Sequence, residues 1–459
     1  MVLMELKNKR VLVVGLGKSG ISAAMFLRGL GARVTVSDTR SAVALAEQIP
    51  ALLDAGIMVE SGGHGLLTFR RQDLIVVSPG VPLDTPEVKQ VIGYGLPVIG
   101  ELELASRYLK GGIIAVTGSN GKTTTTTLIG KIFTDAGVPT QVGGNIGLPV
   151  IELIAESMDE TVNVLEVSSF QLETTEQFHP RIAIILNITP DHLDRHGSFE
   201  RYVAAKEKIF ANQTSADALV LNADDLATQM CAGKTKANVY WFSGTKVVRQ
   251  GAFVRDGVVC WIEKEGGKAE PILPVAEIAL KGAHNVENVL AAVCAARLST
   301  IPAETIRTSV ASFKAVEHRL EYVRTAKGVE FYNDSKATNV DAAIKAVASF
   351  AGCVHLILGG KDKDSDYAQM AEIGGKPIGE RVKRVYTIGS AAEKIERQLA
   401  GVAKIEAAGT LESAVAKAAQ AAVAGDVVLL APACSSFDQF DNYEHRGRVF
   451  RQLVMGLPG

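Results

Sequence analysis

The run Thr117-Gly118-Ser119-Asn120-Gly121-Lys122-Thr123 places two glycines, a lysine and a hydroxyl where an anion could be held. Gly118 and Gly121 let backbone N–H groups converge without Cβ obstruction. A helix expected to begin near Lys122 adds its positive end. Lys122 supplies a point charge, and the Thr123 hydroxyl is placed to ligate Mg²⁺, with Thr124 following in a run of threonines. A strict Walker A loop spaces its glycines more widely, since here only Ser119 and Asn120 intervene. The competing reading is a polar turn opening an ordinary helix. The apolar run Ile113–Val116 directly before the loop favours a phosphate-binding loop, so a nucleoside triphosphate is the expected ligand.

Other residues could do chemistry beside it. Glu166 closes the apolar run 162–165 and could hold Mg²⁺ as a Walker-B acid does, a solvated or helix-capping acid being the alternative. Asp191 and His192 close the next such run and would face the same crevice. Near the N-terminus, Gly15, Gly17 and Gly20 form a GxGxxG pattern, with Asp38 lying 18 residues beyond Gly20. Such a loop recognises a diphosphate, so a nicotinamide dinucleotide and a UDP-sugar both fit. Lys18, Ser19, Thr39 and Arg40 are candidate contacts. Towards the C-terminus three polar loops follow apolar runs: 333–339, 359–363 and 432–438. Their cations and hydroxyls suit a carboxylate-bearing substrate. Cys434 reads as a buried thiol rather than a nucleophile, because no His–Cys constellation accompanies it. Lys206 alone reads as a surface lysine on an amphipathic helix.

Stepping from residues to elements, 459 residues allow about three domains. Strands alternating with helices imply an α/β protein with mostly parallel sheets, whose sites gather at strand C-terminal ends. Expected strands at 10–15, 33–37 and 74–78 form the first unit, closed by a helix near 101–110. The second unit opens at Ile113, with strands at 162–167 and 182–187. Runs at 238–242 and 258–262 read as an antiparallel edge, followed by a long helix from His284 to about Leu298. A second parallel sheet is expected from strands near Phe331 and at 354–359, 385–388 and 427–431. The domain bounds expected are 1–100, 101–315 and 316–459.

Composition excludes some classes. A net charge of −2 gives no bulk attraction for nucleic acid. Five scattered cysteines without a CxxC pair argue against a disulfide framework or zinc site and fit a reducing cytosol. The N-terminus runs into a strand with no small-residue cleavage site, and no apolar stretch approaches ~20 residues, so a cytoplasmic protein without a membrane span is expected.

Taken together, the motifs resemble those of the Mur ligases, which extend the bacterial cell-wall precursor peptide with ATP. The resemblance rests on GLGKSG, TGSNGKTTT, GGNIGLP (143–149), LEVSSFQLE (165–173), NITPDHLDRH (187–196), YVAAKEKIF, GAHNVEN (282–288), EHRLE (317–321), NDSKATN and PACSSFDQF. The short phosphate loop matches this family's form. NDSKATN with SSFDQF is most similar to the members that add D-glutamate to UDP-N-acetylmuramoyl-L-alanine.

The resemblance implies a Rossmann-like N-terminal domain, a central P-loop ATPase-like domain and a C-terminal Rossmann-like domain. It implies ATP on Gly118, Ser119, Asn120, Gly121, Lys122, Thr123 and Thr124, with Asn285 and Asn288 near the adenine and Arg319 and Asp334 around ribose and phosphates. Thr123 and Glu166 would ligate one Mg²⁺. His192 and a carbamylated Lys206 would ligate a second, carbamylation turning an ammonium into an anionic oxygen ligand. Lys122, His192 and Lys206 are the catalytic candidates. Lys18, Ser19, Thr39, Arg40, Ser78 and Gly80 would hold the uridine diphosphate, and Asn145, Ser168 and His192 the muramoyl-alanine arm. Lys336, Thr338, Lys363, Ser436, Phe437 and Tyr443 would receive D-glutamate. A monomer is expected, with residues 316–459 rotating between open and closed states.

Overall fold

Short β-branched runs bounded by glycine and polar turns become strands, and the Ala- and Leu-rich stretches between them become the covering helices. The computed structural model describes residues 4–280, 282–314 and 317–458. The first unit holds β1 (Arg10–Val14), β2 (Arg33–Asp38), β3 (Met58–Ser61), β4 (Leu74–Val77) and β5 (Val98–Gly100), in the order β3-β2-β1-β4-β5. All its pairings are parallel. The loops after β1, β2 and β4 therefore share one edge.

The second unit carries β6 (Gly112–Thr117), β7 (Thr140–Gly144), β8 (Val162–Glu166), β9 (Ile182–Ile185), β10 (Ala218–Asn222), β11 (Asn238–Ser243), β12 (Gly251–Arg255), β13 (Val258–Ile262) and β14 (Glu270–Pro274). Their order is β14-β13-β12-β11-β10-β9-β6-β8-β7. The strand β6 lies between β8 and β9, with Val116 opposite Glu166 and Thr117 opposite Ile185. Registration alone thus brings the phosphate loop, Glu166 and the 187–192 segment to one sheet end. The expected antiparallel edge needs correction. The strand β11 runs parallel to both β10 and β12, and only the β12-β13-β14 meander is antiparallel. Trp241 and Phe242 sit on a strand covered by the helix Ala283–Leu298, so the run belongs to the sandwiched sheet rather than its rim.

The third unit holds β15 (Glu321–Ala326), β16 (Val329–Asn333), β17 (Val354–Gly359), β18 (Val382–Ile388), β19 (Ile405–Gly409) and β20 (Val427–Leu430). Their order is β15-β16-β20-β17-β18-β19, and only the β15–β16 hairpin is antiparallel. The ends of β16, β20 and β17 adjoin, so the three polar loops gather on one face. A C-terminal helix, Tyr443–Met455, packs over this sheet through Phe450 and Val454. The helix expected at 101–110 is shorter, Glu101–Ser106. The expected boundary between 315 and 316 falls on Ala315 and Val316, outside the described residues. No helix among the described residues is long and apolar enough to cross a membrane.

Candidate active site

The phosphate loop is braced from several sides. The Ser119 amide donates to the Asn187 carbonyl at 2.9 Å, and the Asn120 amide donates to Asn187 Oδ1 at 2.8 Å. Asn187 Nδ2 returns a bond to the Asn120 carbonyl at 3.1 Å, and the Ser119 hydroxyl reaches the Thr189 carbonyl at 2.9 Å. Gly121 has φ +88, and a Cβ there would overlap Asn288 Oδ1, so this position requires glycine for both conformation and space. The helix Lys122–Asp135 starts directly after it. Lys122 Nζ donates to the carbonyls of Gly118 and Ser119, each at 2.9 Å. Burial pulls its affinity for a proton below the ordinary lysine value, while Glu166 and Asp191 oppose that shift. Thr124 is buried beneath the loop, its hydroxyl without a hydrogen-bond partner among the described residues.

Glu166 is 1% exposed. Its carboxylate accepts from the Thr123 hydroxyl at 2.6 Å and from Asn145 Nδ2 at 2.8 Å. Thr123 and Glu166 thus offer two hard oxygen donors side by side. Among the described residues no group of three or more His, Cys, Asp or Glu side chains is arranged to hold a metal. The donors fit a Mg²⁺ that takes its other ligands from phosphate oxygens and water, which is that ion's habit.

His192 adopts a left-handed backbone with φ 55 and lies against Phe170, ring centroids 4.8 Å apart. Burial pulls its pKa down to about 3, with Asp191 opposing, so the ring is neutral. Asp191 accepts from Asn339 Nδ2 at 2.9 Å and pairs with Lys363 at 3.2 Å. Burial would raise its pKa, but Lys363 and the bond from Asn339 outweigh that and hold it ionised.

Lys206 departs from the surface lysine its sequence context implied. It is 1% exposed on the helix Phe199–Glu207, and its Nζ donates to the Gly118 carbonyl at 2.8 Å. Burial, aided by repulsion from Lys122, pushes its pKa well below the ordinary value. A buried lysine beneath a phosphate loop has no solvating role.

Lys122, Thr123, Glu166, Asp191 and His192 line a cavity of about 660 Å³ shared with the third unit, which contributes Arg319, Lys336, Thr338 and Tyr443, whereas Thr124 and Lys206 are not part of its wall. Burial brings Lys336 down to about 8, with Glu166 opposing, and raises Asp334 to about 6, with Arg319 opposing. Arg319, Asp334 and Asn288 meet Asn120 in an adjoining recess. Asn285 and Asn288 sit one turn apart on the helix Ala283–Leu298, their side chains joined at 2.9 Å. Lys363 stands at the cleft through its pair with Asp191. Ser436 is buried, whereas Phe437 is 68% exposed and lies outside the cavity wall. Cys434 is buried, its thiol beside the Tyr367 hydroxyl at 2.9 Å, and burial raises its pKa to about 12, which suits a packing role.

A second cavity, of about 550 Å³, collects Lys18, Ser19, Thr39, Arg40, Ser78 and Gly80 at the edge of the first sheet. Gly20 lets helix and loop close together, for a Cβ there would overlap the Gly15 carbonyl. The Ser78 hydroxyl donates to that carbonyl at 2.8 Å, and Lys18 Nζ donates to the Gly147 carbonyl at 2.9 Å. Asp38 accepts from the Leu16 amide at 2.7 Å and from Arg40 through both oxygens. Burial opposes its ionisation, yet Arg40 and the two amides bring its pKa down to about 2. A carboxylate so occupied is not free for the ribose diol of a nicotinamide dinucleotide. Asn145 and Gly147 line both cavities and mark the passage between them. Ser168, expected to touch substrate, caps a short helix by accepting from the Gln171 amide at 3.2 Å.

Sequence reasoning passed over Asn187, Tyr202, His284, Asp341 and Arg448. Asn187 was quoted within a motif, yet its brace to the loop depends on strand order that no spacing reveals. Tyr202 bonds Ser119 at 3.0 Å and lies under the Lys206 ammonium, 4.7 Å from ring centroid to Nζ.

Profiles of three domains match the chain: the Mur ligase MurD-like N-terminal domain over residues 9–100, the Mur ligase middle domain over 116–296 and the Mur ligase glutamate ligase domain over 318–434. The chain is 65% identical over 456 residues to a UDP-N-acetylmuramoylalanine–D-glutamate ligase of Acidobacterium capsulatum, covering 99% of this chain and 98% of the relative. The chain belongs to the Mur ligase family. Solved Mur-type ligases share its fold. A pseudomurein peptide ligase of Methanothermus fervidus superposes with a TM-score of 0.61 at 21% identity, over 98% of this chain and 99% of that one. The MurF ligase of Thermotoga maritima, determined in complex with ADP, does so with a TM-score of 0.58 at 18% identity, over 98% and 96%. The chain is thus a ligase with the family's three α/β units.

Proposed function

We propose that this Mur ligase adds D-glutamate to UDP-N-acetylmuramoyl-L-alanine, at the expense of ATP, in the cytoplasm. The observation that carries the reading is the 65% identity, across nearly the whole of both chains, to a ligase named for that reaction. The cleft between the second and third sheets, lined by Lys122, Arg319, Lys336 and Arg448 along with four carboxylates, supports it. The domain bounds are 1–100, 101–315 and 316–459, and the enzyme acts as a monomer.

The diphosphate of the sugar nucleotide lies on the loop 15–20, with Lys18, Ser19, Thr39, Arg40, Ser78 and Gly80 around it. The muramoyl-alanine arm passes Asn145 into the larger cavity. ATP lies on the loop 118–124, with Asn285 and Asn288 towards the base and Arg319 and Asp334 around ribose and phosphates. The γ-phosphoryl passes in line to the alanyl carboxylate, giving an acyl phosphate and ADP. Both partners are anionic, so Lys122 screens their repulsion. Mg²⁺, held by Thr123 and Glu166, supplies further charge neutralisation when bound. D-Glutamate enters beside Lys336, Thr338, Lys363, Ser436 and Tyr443, with Phe437 left exposed outside the cavity wall. Its amine attacks the acyl carbon, a tetrahedral intermediate forms, and collapse to the amide expels phosphate.

Lys206 is the group for a second Mg²⁺ beside His192. Burial lowers its proton affinity and so favours the uncharged amine, the form that adds CO₂ with loss of a proton to become a carbamate. The carbamate N–H would keep the bond to the Gly118 carbonyl while its oxygens serve the cation.

The test is phosphate release from ATP and UDP-N-acetylmuramoyl-L-alanine, compared across D-glutamate, L-glutamate, L-alanine and meso-diaminopimelate. Release with D-glutamate alone is expected. Release with another amino acid would keep the ligase and overturn the substrate.

A further inference from the structure

The phosphate loop belongs to the second unit, yet one of its side chains is held by the third. Asn120 Nδ2 donates to Asp341 Oδ2 at 2.6 Å. Asp341 lies in the first turn of the helix Val340–Ala348, which Asn339 caps by accepting from the Ala342 amide at 2.8 Å. The same Asp341 oxygen lies 3.5 Å from the Thr189 hydroxyl and 3.0 Å from Lys345 Nζ. Asn339 itself exchanges longer contacts with Asn120, at 3.3 and 3.5 Å, and donates to Asp191 at 2.9 Å. The main chain of Asn120 is already fixed by Asn187 on both its N–H and its carbonyl. Its side chain is therefore the part left to report on the third unit.

We infer that Asp341 is a positioning residue for phosphoryl transfer: by accepting from Asn120 it ties the phosphate loop's conformation to the docking of the amino-acid-binding unit. Asp341 touches no reacting atom. It acts through Asn120, which immediately precedes Gly121 and the start of the helix at Lys122. When the third unit is docked, a charged acceptor fixes the Asn120 amide and removes one rotational freedom from the loop's tip. When it is away, that acceptor is gone and the tip is held by the second unit alone. Phosphoryl transfer, which depends on positioning more than on covalent chemistry, would then be slower until the unit carrying the amino acid is in place. An acid in the first turn of a helix has an ordinary role as well, favouring the helix N-terminus by charge. The two roles differ in what they couple to.

The inference deepens the proposed ligase reaction and rests on it. The experiment is a double-mutant cycle on the full chain with Asn120→Ala, Asp341→Ala and the pair together. It reads kcat and KM for ATP in phosphate release with UDP-N-acetylmuramoyl-L-alanine and D-glutamate, alongside Tm. Asp341→Ala should lower kcat/KM for ATP about tenfold, the scale of a lost bond to a charged acceptor. The double variant should lose little beyond the single ones, because they break the same bond. Asp341→Asn, which keeps a carbonyl acceptor, should recover most of the loss. Losses in Asn120→Ala and Asp341→Ala that multiply in the double variant would overturn the inference. So would a fall in Tm with Asp341→Ala and no change in kcat/KM, which is the helix-charge role alone. A wild-type chain releasing phosphate with none of the amino acids would count against the ligase reading instead. The same four-protein cycle read in ATP affinity then decides the link: coupling supports it and additivity overturns it.

Discussion

Lys122 and Lys206 show how far a residue's meaning depends on what surrounds it. Both are lysines near one carbonyl, that of Gly118, but Lys206 is buried and Lys122 only partly so. Lys122 faces the cavity and carries the screening charge, so Lys122→Ala should cut turnover by roughly 10²–10³-fold, as loss of one preorganised charge does. Its Tm should stay within a few degrees of the wild type, which circular dichroism would check. Lys206 stands behind the loop, where burial pushes its pKa well below the ordinary lysine value. Turnover should rise on adding bicarbonate to CO₂-depleted enzyme, and Lys206→Ala should lose that response along with most of its activity. A rate independent of bicarbonate in depleted enzyme would remove the carbamate from the account.

A different titrating group sets pH dependence of stability. Glu101 is almost fully buried, accepts from the Ile151 amide at 2.7 Å through one oxygen, and has no partner for the other among the described residues. Burial raises its pKa to about 7. A carboxyl whose folded pKa exceeds its unfolded one binds more protons when folded, so stability falls as pH rises from about 5 through 7. The full effect is roughly 3 kcal/mol. Glu101→Gln should therefore gain Tm relative to the wild type at pH 8 and little at pH 5, with thermal melts at both values as the check.

At the scale of elements, the parallel sheets explain why residues far apart in sequence share a site. The loop 117–123 and Glu166 were legible because a glycine pattern and a strand-terminal acid each follow an apolar run. Their adjacency follows from β6 lying beside β8, and parallel pairing had already implied a common edge. The strand β11 was misread because length and polarity resemble those of an edge strand, while its neighbours on either side are fixed only by the tertiary fold. The Lys206 reading failed for the same reason: helical periodicity finds a face, and packing decides what that face meets. Ser168 was legible as a polar residue after a strand, but its capping bond to Gln171 is a matter of local geometry. Element geometry also makes Gly121 unforgiving. Gly121→Ala meets both a positive φ and the Asn288 side chain, so ATP affinity should fall at least about tenfold. Isothermal titration would show it, and unchanged affinity would refute the loop as the ATP site.

On the scale of the whole molecule, the second and third units touch across the cavity through Asp341 with Asn120, and Asp191 with Asn339 and Lys363. Those contacts are polar, as expected of surfaces that separate and rejoin. Rotation of residues 316–459 should therefore accompany the reaction, closing the cavity and excluding water from the acyl phosphate. Small-angle scattering should give a smaller radius of gyration with a non-hydrolysable ATP analogue and both substrates than without them. One unchanged shape would contradict it. The three-unit plan itself was visible in sequence, through a change of motif at each new sheet. The cross-unit contacts were not, since Asn120 and Asp341 carry no pattern that pairs them.

In the proposed reaction the alanyl carboxylate is activated by phosphorylation and then captured by D-glutamate. The most direct measurement supplies UDP-N-acetylmuramoyl-L-alanine labelled with ¹⁸O in that carboxylate, together with ATP and D-glutamate, and follows the label by mass spectrometry. Activation through an acyl phosphate requires one labelled oxygen in the phosphate released and an amide product carrying D-glutamate. Unlabelled phosphate, or label transfer followed by hydrolysis with no D-glutamate in the product, would contradict it.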